Sequence, residues 1–241
     1  MYLSVRDGIL THAGFRSVNH GLKALGLRAV EVGLGRDMSV ESPAGNGKIN
    51  VATPAGVALL REELAQVGAK ACAFLLPTDF NQPDRQAEIE WHVAALRAAE
   101  ALGMKAIRID AHMTGQGTLP LEERVSIFAG AVKEIIKHTA DCPVDMGIEN
   151  HGQQGNDPGF LRLLFEAVGS ERLGMTLDSG NFYWAGHPLE RVYQIMEELA
   201  PRTKHTHLKN IRYPEEMRNQ QRPIGYQYGK YVSPMYEGDI D

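Results

Sequence analysis

The sequence predicts an α/β chain built as a (β/α)8 barrel, and three observations carry that reading. Short β-branched or apolar runs alternate with longer helical stretches along all 241 residues, the pattern of repeated parallel βαβ units. Several of those runs contain or end in a polar residue near their C-terminal side: Glu31, Asp110, Glu149, Asp178 and His207. The C-terminal ends of parallel strands are where such a barrel keeps its site. The competing dinucleotide-binding sheet needs a G-x-G-x-x-G turn after its first strand, and RDGILTHAGF (6–15) lacks it.

Taken in order, YLSV (2–5) is the first expected strand, and VNHGLKAL (18–25) is a helix closed by Gly26. RAVEVG (28–33) is the second strand, followed by a Gly-, Ser-, Asn- and Asp-rich loop at 36–50. Thr53 and Pro54, a cap followed by proline at the first helical position, start the next helix. KACAFLL (70–76) is the third strand. The long helix 84–102 carries Ile89, Val93, Leu96 and Ala99 on one face and is closed by Gly103. KAIRID (105–110), DMGIEN (145–150), LGMTLD (173–178) and KHTHLK (204–209) supply strands four to seven. Helices at 121–138, 157–168 and 187–199 separate them, and no antiparallel hairpin is expected. The count of seven strands leaves the barrel one short. Residues 211–241 read as a long loop after strand seven, and the whole of 1–241 as a single barrel domain. Five tyrosines in that loop (213, 226, 228, 231 and 236) argue against a simple flexible tail, because disordered segments are poor in aromatics.

Composition narrows the function. A hydrophobic fraction of 43% and a charged fraction of 23% are ordinary for a globular chain. The net charge of −5, with no basic block, gives no footprint for nucleic acid or an anionic membrane. MYLSVRDG is not expected to be a signal peptide, and no run approaches the length of a spanning helix. Cys72 and Cys142 stand far apart in apolar settings and read as buried thiols, so a reducing, cytoplasmic location is expected.

Three stretches carry the chemistry: IENHG (148–152), TLDSGN (176–181) and KHTHLK (204–209). Side chains at i and i+2 share a strand face, so Glu149 with His151, and His205 with His207, point the same way. On neighbouring strands, Glu149, Asp178 and His207 converge at one mouth. Two carboxylates and an imidazole suit a divalent cation; without one, paired carboxylates push one member towards protonation.

These residues resemble the xylose isomerase-like TIM barrels, the sugar phosphate isomerase/epimerase group related to ketose 3-epimerases and endonuclease IV. EVGL, GIENHG, LDSGN, HTHLKN and the terminal EGDID carry the resemblance. It implies a divalent metal, Mn²⁺ foremost with Mg²⁺, Co²⁺ or Zn²⁺ as alternatives, held by Glu149, Asp178 and His207. It also implies that Glu149 doubles as a catalytic acid/base in proton transfer next to the carbonyl of a ketose, keto-sugar or inosose-like substrate. The family's fourth ligand, a glutamate on strand eight that is also the second acid/base epimerisation needs on the opposite face, has no counterpart, so the barrel is expected to lack its last helix-strand-helix and an epimerase built this way is open to being inactive. Glu237 is not expected to replace it.

The family pattern is not fully matched. Asn181 stands where the epimerases commonly have His, Arg212 is displaced from their arginine position, and Lys209-Asn210 replaces a Lys-Asp pair. His151, Asn181, Lys209, His112 and Trp184 are the candidate substrate contacts. Lys209 reads equally as a surface lysine, His151 as an outer support, and Phe182 with Trp184 as packing rather than a sugar wall. Arg108 and Asp110 read first as structural. A free or oxidised sugar is preferred to a sugar phosphate, since no phosphate-binding signature is evident. Oligomeric state stays open, a homo-oligomer being one reading, and the Tyr-rich segment from Tyr226 to Tyr236 reads as a cover for either a site or a neighbouring molecule. The competing functions are a non-catalytic sugar-binding barrel and an endonuclease IV-like phosphodiesterase, the latter disfavoured by the acidic balance and by Asn181.

Overall fold

The computed structural model describes residues 2–241. In chain order it contains β1 (Val5–Arg6), α1 (Asp7–His12), α2 (Val18–Leu25), β2 (Ala29–Gly33), β3 (Ser39–Glu41), β4 (Lys48–Asn50), α3 (Pro54–Ala65), β5 (Lys70–Leu76), α4 (Arg85–Leu102), β6 (Ala106–Ile109) and α5 (Leu121–His138). These are followed by β7 (Asp145–Glu149), α6 (Gly152–Gly155), α7 (Pro158–Val168), β8 (Leu173–Asp178), α8 (Asn181–Trp184), α9 (Leu189–Leu199), β9 (Thr203–His207), β10 (Asn210–Ile211), α10 (Tyr228–Tyr231) and β11 (Val232–Ser233). Seven strands form one sheet in the order β1-β2-β5-β6-β7-β8-β9, which is also their order along the chain. Parallel registers join β1 to β2, β2 to β5, β7 to β8 and β8 to β9. Sequential parallel strands linked by helical crossovers are what repeated βαβ units produce.

The chain divides into two compact units. The first comprises the residues up to Leu76 with Asp84–Arg108 and Glu134–Asp145. Its strands are buried on both faces: Val30 and Val32 of β2 and the run from Ala71 to Leu76 of β5 are all in the core. The helices α3 and α4 pack on β5 and contribute Leu60, Leu64, Leu96 and Ala99. Within this unit Glu31 lies buried on β2. Arg36 pairs with the carboxylate of Glu88.

The second unit comprises Pro77–Pro83, Ile109–Lys133 and Met146–Asp241. Phe80, Phe128 and Phe160 form an edge-to-face column with centroids 4.8 and 5.9 Å apart. The approach of β7 to β8 depends on Gly147, where a Cβ would lie 2.4 Å from Thr176 Oγ1.

Helix boundaries follow the side chains that satisfy them. Ser17, Thr53, Asp84 and Asp157 each accept a backbone N–H at a helix start, and Gly26, Gly103 and Gly169 close helices in the left-handed conformation.

Four features differ from the sequence reading. The first strand is Val5–Arg6 rather than 2–5, and Tyr2 and Leu3 are exposed. A short helix, α1, occupies Asp7–His12; Leu10 is its only buried residue, too little to make a visible apolar period. Antiparallel pairs are present after all. In the 36–50 loop β3 pairs with β4, burying Val40 and Ile49 around a turn in which Gly45 and Gly47 have φ of 88° and 91°. In 211–241 the second pair, β10 with β11, joins residues 21 and 23 positions apart in sequence (Ile211–Val232, Asn210–Ser233), a separation at which no hairpin signal is legible. The segment 211–241 is built around an aromatic cluster. Tyr213 packs against Tyr183 at 5.0 Å and Tyr231 at 5.1 Å, and the Arg222 guanidinium lies 4.2 Å from the Tyr213 ring and 4.6 Å from that of Tyr183. Asp239 accepts from the Tyr183 hydroxyl at 3.0 Å and pairs with Arg218 at 3.0 Å. Cys72 and Cys142 are buried free thiols, and no described helix is long and apolar enough to cross a membrane.

Candidate metal and substrate site

Glu149 ends β7, Asp178 ends β8 and His207 ends β9. The β8–β9 register places Asp178 opposite His207, while Glu149 is paired with Thr176 on β8. Parallel strands staggered in this way bring three side chains from separated stretches of sequence to one edge of the sheet. One ligand atom from each of Glu149, Asp178 and His207 lies within 4.8 Å of the other two. The carboxylates are buried and the imidazole is partly buried.

His207 Nδ1 is 2.9 Å from Glu149 Oε1. The pair ties the ends of β7 and β9 together at the site. Burial pushes the Asp178 carboxyl above its ordinary range; the Lys209 ammonium opposes that shift and the Glu149 charge reinforces it. Lys209 Nζ stands 4.0 Å from Asp178 Oδ2 and donates to Asn181 Oδ1. Asn181 Nδ2 in turn reaches Glu149 Oε1 at 3.4 Å. The Lys209 ammonium also lies 6.0 Å from the Trp184 ring centroid and 5.4 Å from that of Tyr228. Lys209 is therefore part of the cluster rather than a free surface lysine.

The backbone beneath is held rigidly. The Asn150 side chain accepts from Asp178 N at 2.8 Å and donates to Asp178 O at 2.9 Å, spanning β7 and β8. Ser179 Oγ donates to Lys209 O at 2.8 Å and accepts from Lys209 N at 3.1 Å. Gly180 N donates to Asp178 Oδ1 at 2.9 Å. A Cβ at Gly180 would lie 2.9 Å from Lys209 O, so this position admits no side chain without moving the Lys209 backbone.

Of the sequence-predicted residues, Glu149, Asp178, His207, Asn181, Lys209 and Trp184 are thus brought together. His151 is half-exposed, with Nδ1 3.3 Å from Asp110 Oδ1. His112 is exposed and has Nε2 4.0 Å from Asp79 Oδ2. His205 stacks edge-on with His207 at 5.5 Å. Phe182 is fully buried, which makes it packing rather than a wall. Glu237 is exposed. Sequence reasoning missed Asn150, Ser179 and Tyr228. Asn150 had a signal in its position directly after Glu149, and Tyr228 in the Tyr-rich 226–236 segment, but only the fold of 211–241 singles out Tyr228 as the tyrosine beside Lys209.

The donor set fits a divalent cation. It is made of two carboxylate oxygens and one imidazole nitrogen, the ligand chemistry of Mn²⁺, Zn²⁺ and Mg²⁺ sites, with one ligand atom of each residue within 4.8 Å of the others.

The family model for the xylose isomerase-like TIM barrel matches residues 21–235. The chain belongs to that family. Its seven parallel strands make an incomplete set of the family's (β/α)8 type. No curated protein matches by sequence.

Among solved structures with the same fold is the IolI protein with a bound zinc atom, at 16% identity and a TM-score of 0.70, covering 100% of this chain and 81% of that one. The probable 3-DHS dehydratase AsbF from Bacillus anthracis is similar at 15% identity and a TM-score of 0.67, covering 100% and 86%. A mannonate dehydratase from Streptococcus suis serotype 2 is similar at 13% identity and a TM-score of 0.66, covering 100% and 79%. Two of these neighbours of the xylose isomerase-like chain are thus dehydratases, one of them described as probable, and the third holds zinc.

Proposed function

We propose that this xylose isomerase-like chain is a divalent-metal-dependent sugar isomerase or epimerase, acting by proton transfer next to a carbonyl of a ketose, keto-sugar or inosose-like substrate. The observation that carries the proposal is the convergence of Glu149, Asp178 and His207, with ligand atoms within 4.8 Å of one another. Those three residues would hold the cation. When bound, it supplies Lewis-acid polarisation of a carbonyl and its neighbouring hydroxyl.

The remaining chemistry belongs to the chain. Glu149 is the acid/base that takes the proton from the carbon beside the carbonyl, and one of its oxygens is kept oriented by His207 and Asn181. The Lys209 ammonium offers donors to a substrate oxygen, and the Trp184 and Tyr228 rings near it offer apolar surface against which a sugar's C–H groups pack. His151 and His112 are proposed as outer contacts to substrate hydroxyls. The substrate is a small sugar-like molecule, a class the neighbours' reactions also fit.

Two measurements test the reading together. Metal content of the purified chain should be close to stoichiometric, and a ketose incubated in D₂O with the Mn²⁺-loaded chain should take up deuterium at the carbon next to its carbonyl. A chain with no bound metal and no exchange over a panel of ketoses and inososes would sink the proposal.

A further inference from the structure

We propose that a second pocket, sharing no residue with the Glu149–Asp178–His207 cluster, binds the oxyanion group, carboxylate or phosphate, of a small hydroxylated ligand. The pocket is a cavity of about 320 Å³ lined by Gln116, Leu119, Arg124, Gln153, Gln154 and Asp157. It would hold many times the roughly 30 Å³ that one water occupies in the liquid, and it falls in the range of small-ligand sites.

Its centre is Arg124, in the first turn of α5. Arg124 Nη1 donates to Gln154 Oε1 at 2.9 Å, and Gln154 Nε2 is tied to Ala111 O at 2.7 Å. The second bond fixes which way the amide faces, so Gln154 acts as a bracket that holds the guanidinium in place. The Arg124 ζ carbon lies 5.8 Å from the Phe160 ring centroid. The guanidinium has no carboxylate partner among the described residues, and its buried Nε–H meets no acceptor. A buried donor left unpaired is destabilising, so an acceptor arriving with a ligand is favoured there. A planar cation held by a neutral amide and a ring, with N–H groups to spare, is preorganised for a planar or tetrahedral oxyanion.

The neighbouring groups extend the match. Gln116 Oε1 accepts from Met113 N at 3.3 Å, which leaves its amide N–H groups as donors. Asp157 accepts through Oδ1 from Gly159 N and Phe160 N as the cap of α7, so Oδ2 is the acceptor suited to a ligand hydroxyl. Donors therefore exceed acceptors, and the complementary ligand is an acid that also carries hydroxyls.

Calorimetric titration of the full chain, stripped of metal by EDTA and then dialysed free of the chelator, tests this without reference to catalysis. Stripped of metal, the paired carboxylates of the other cluster repel anions. The probes are D-gluconate, inorganic phosphate and neutral sorbitol. The wild-type chain is expected to bind gluconate or phosphate and not sorbitol; tighter gluconate identifies a carboxylate ligand and tighter phosphate a phosphate ligand. Arg124→Gln should weaken the anion at least tenfold, with Gln116→Ala weakening it several-fold as a variant that leaves the Arg124–Gln154 bracket intact. Undiminished binding in both variants, sorbitol binding as tightly as gluconate, or no binding of either anion to the wild type would overturn the proposal.

Discussion

Replacing Lys209 by Met separates a site lysine from a surface one by a sign and a pH dependence. Lys209 Nζ is 4.0 Å from Asp178 Oδ2, and the Asp178 side chain is only 6% exposed while that of Lys209 is 25% exposed. Two unit charges at that distance interact by about 4 kcal/mol at the effective dielectric typical near a protein surface. The partly exposed ammonium is screened by water and keeps long side-chain freedom, which brings the expected loss in the metal-free chain to about 1–2 kcal/mol at neutral pH.

The pH dependence has a defined direction. Burial raises the Asp178 carboxyl and Lys209 lowers it, so the variant raises it further. A carboxyl with a raised folded-state pKa contributes stability in acid that is lost as pH rises through that pKa. The difference between wild type and Lys209→Met should therefore be largest at neutral pH and shrink towards acid, where a protonated Asp178 no longer needs a cation. Urea unfolding of both chains in EDTA at a series of pH values reads this directly. A difference that is absent, or constant with pH, would refute the electrostatic coupling between Lys209 and Asp178.

Other expectations rest on the same geometry. Glu149→Gln should leave the fold intact and slow deuterium exchange of a bound ketose by about 10²–10⁴-fold, the usual worth of a positioned proton-transfer group, measured in the Mn²⁺-loaded chain under saturating metal. Asp178→Asn removes a ligand, so titration with Mn²⁺ should show a loss beyond the roughly 10–100-fold that outer partners of a metal site cost. Its metal-free melting temperature at neutral pH should rise or hold, because Asn keeps an acceptor for Gly180 N and removes a charge that burial disfavours. Gly180→Ala forces its Cβ to within 2.9 Å of Lys209 O and should cost about 1–3 kcal/mol in urea unfolding, as overpacked positions do. Burial pushes the Cys72 thiol up to about 11, so the native chain at pH 8 should resist an aromatic disulfide reagent at Cys72 on a timescale over which the urea-unfolded chain reacts fully.

The parallel strands and long helices were legible because their signals are local. The helices α3, α4 and α7 start or end where caps and glycines in the sequence say they do, since a helix's unsatisfied N–H and C=O groups are answered by residues within a turn. Glu149, Asp178 and His207 were legible for a related reason: the barrel period puts a polar residue at the end of successive strands, and three such ends in a row form a pattern. The misses lie where contact partners are distant in sequence. Helix α1 is held by Leu10 alone, and β10–β11 joins residues on either side of a 20-residue excursion, so neither produces periodicity.

By itself the sequence determined the alternation of strand and helix, the ends of the capped helices, and the placing of Glu149, Asp178 and His207 at the ends of successive strands. Each depends on the side-chain chemistry of near neighbours and on the two-residue period of a strand. The tertiary structure alone decided that Asn181, Lys209, Trp184 and Tyr228 join that cluster, and that Arg124 is held without a carboxylate partner. Those facts depend on strand register and on where 211–241 returns. Register is a property of pairs of strands, and no single stretch of sequence contains it.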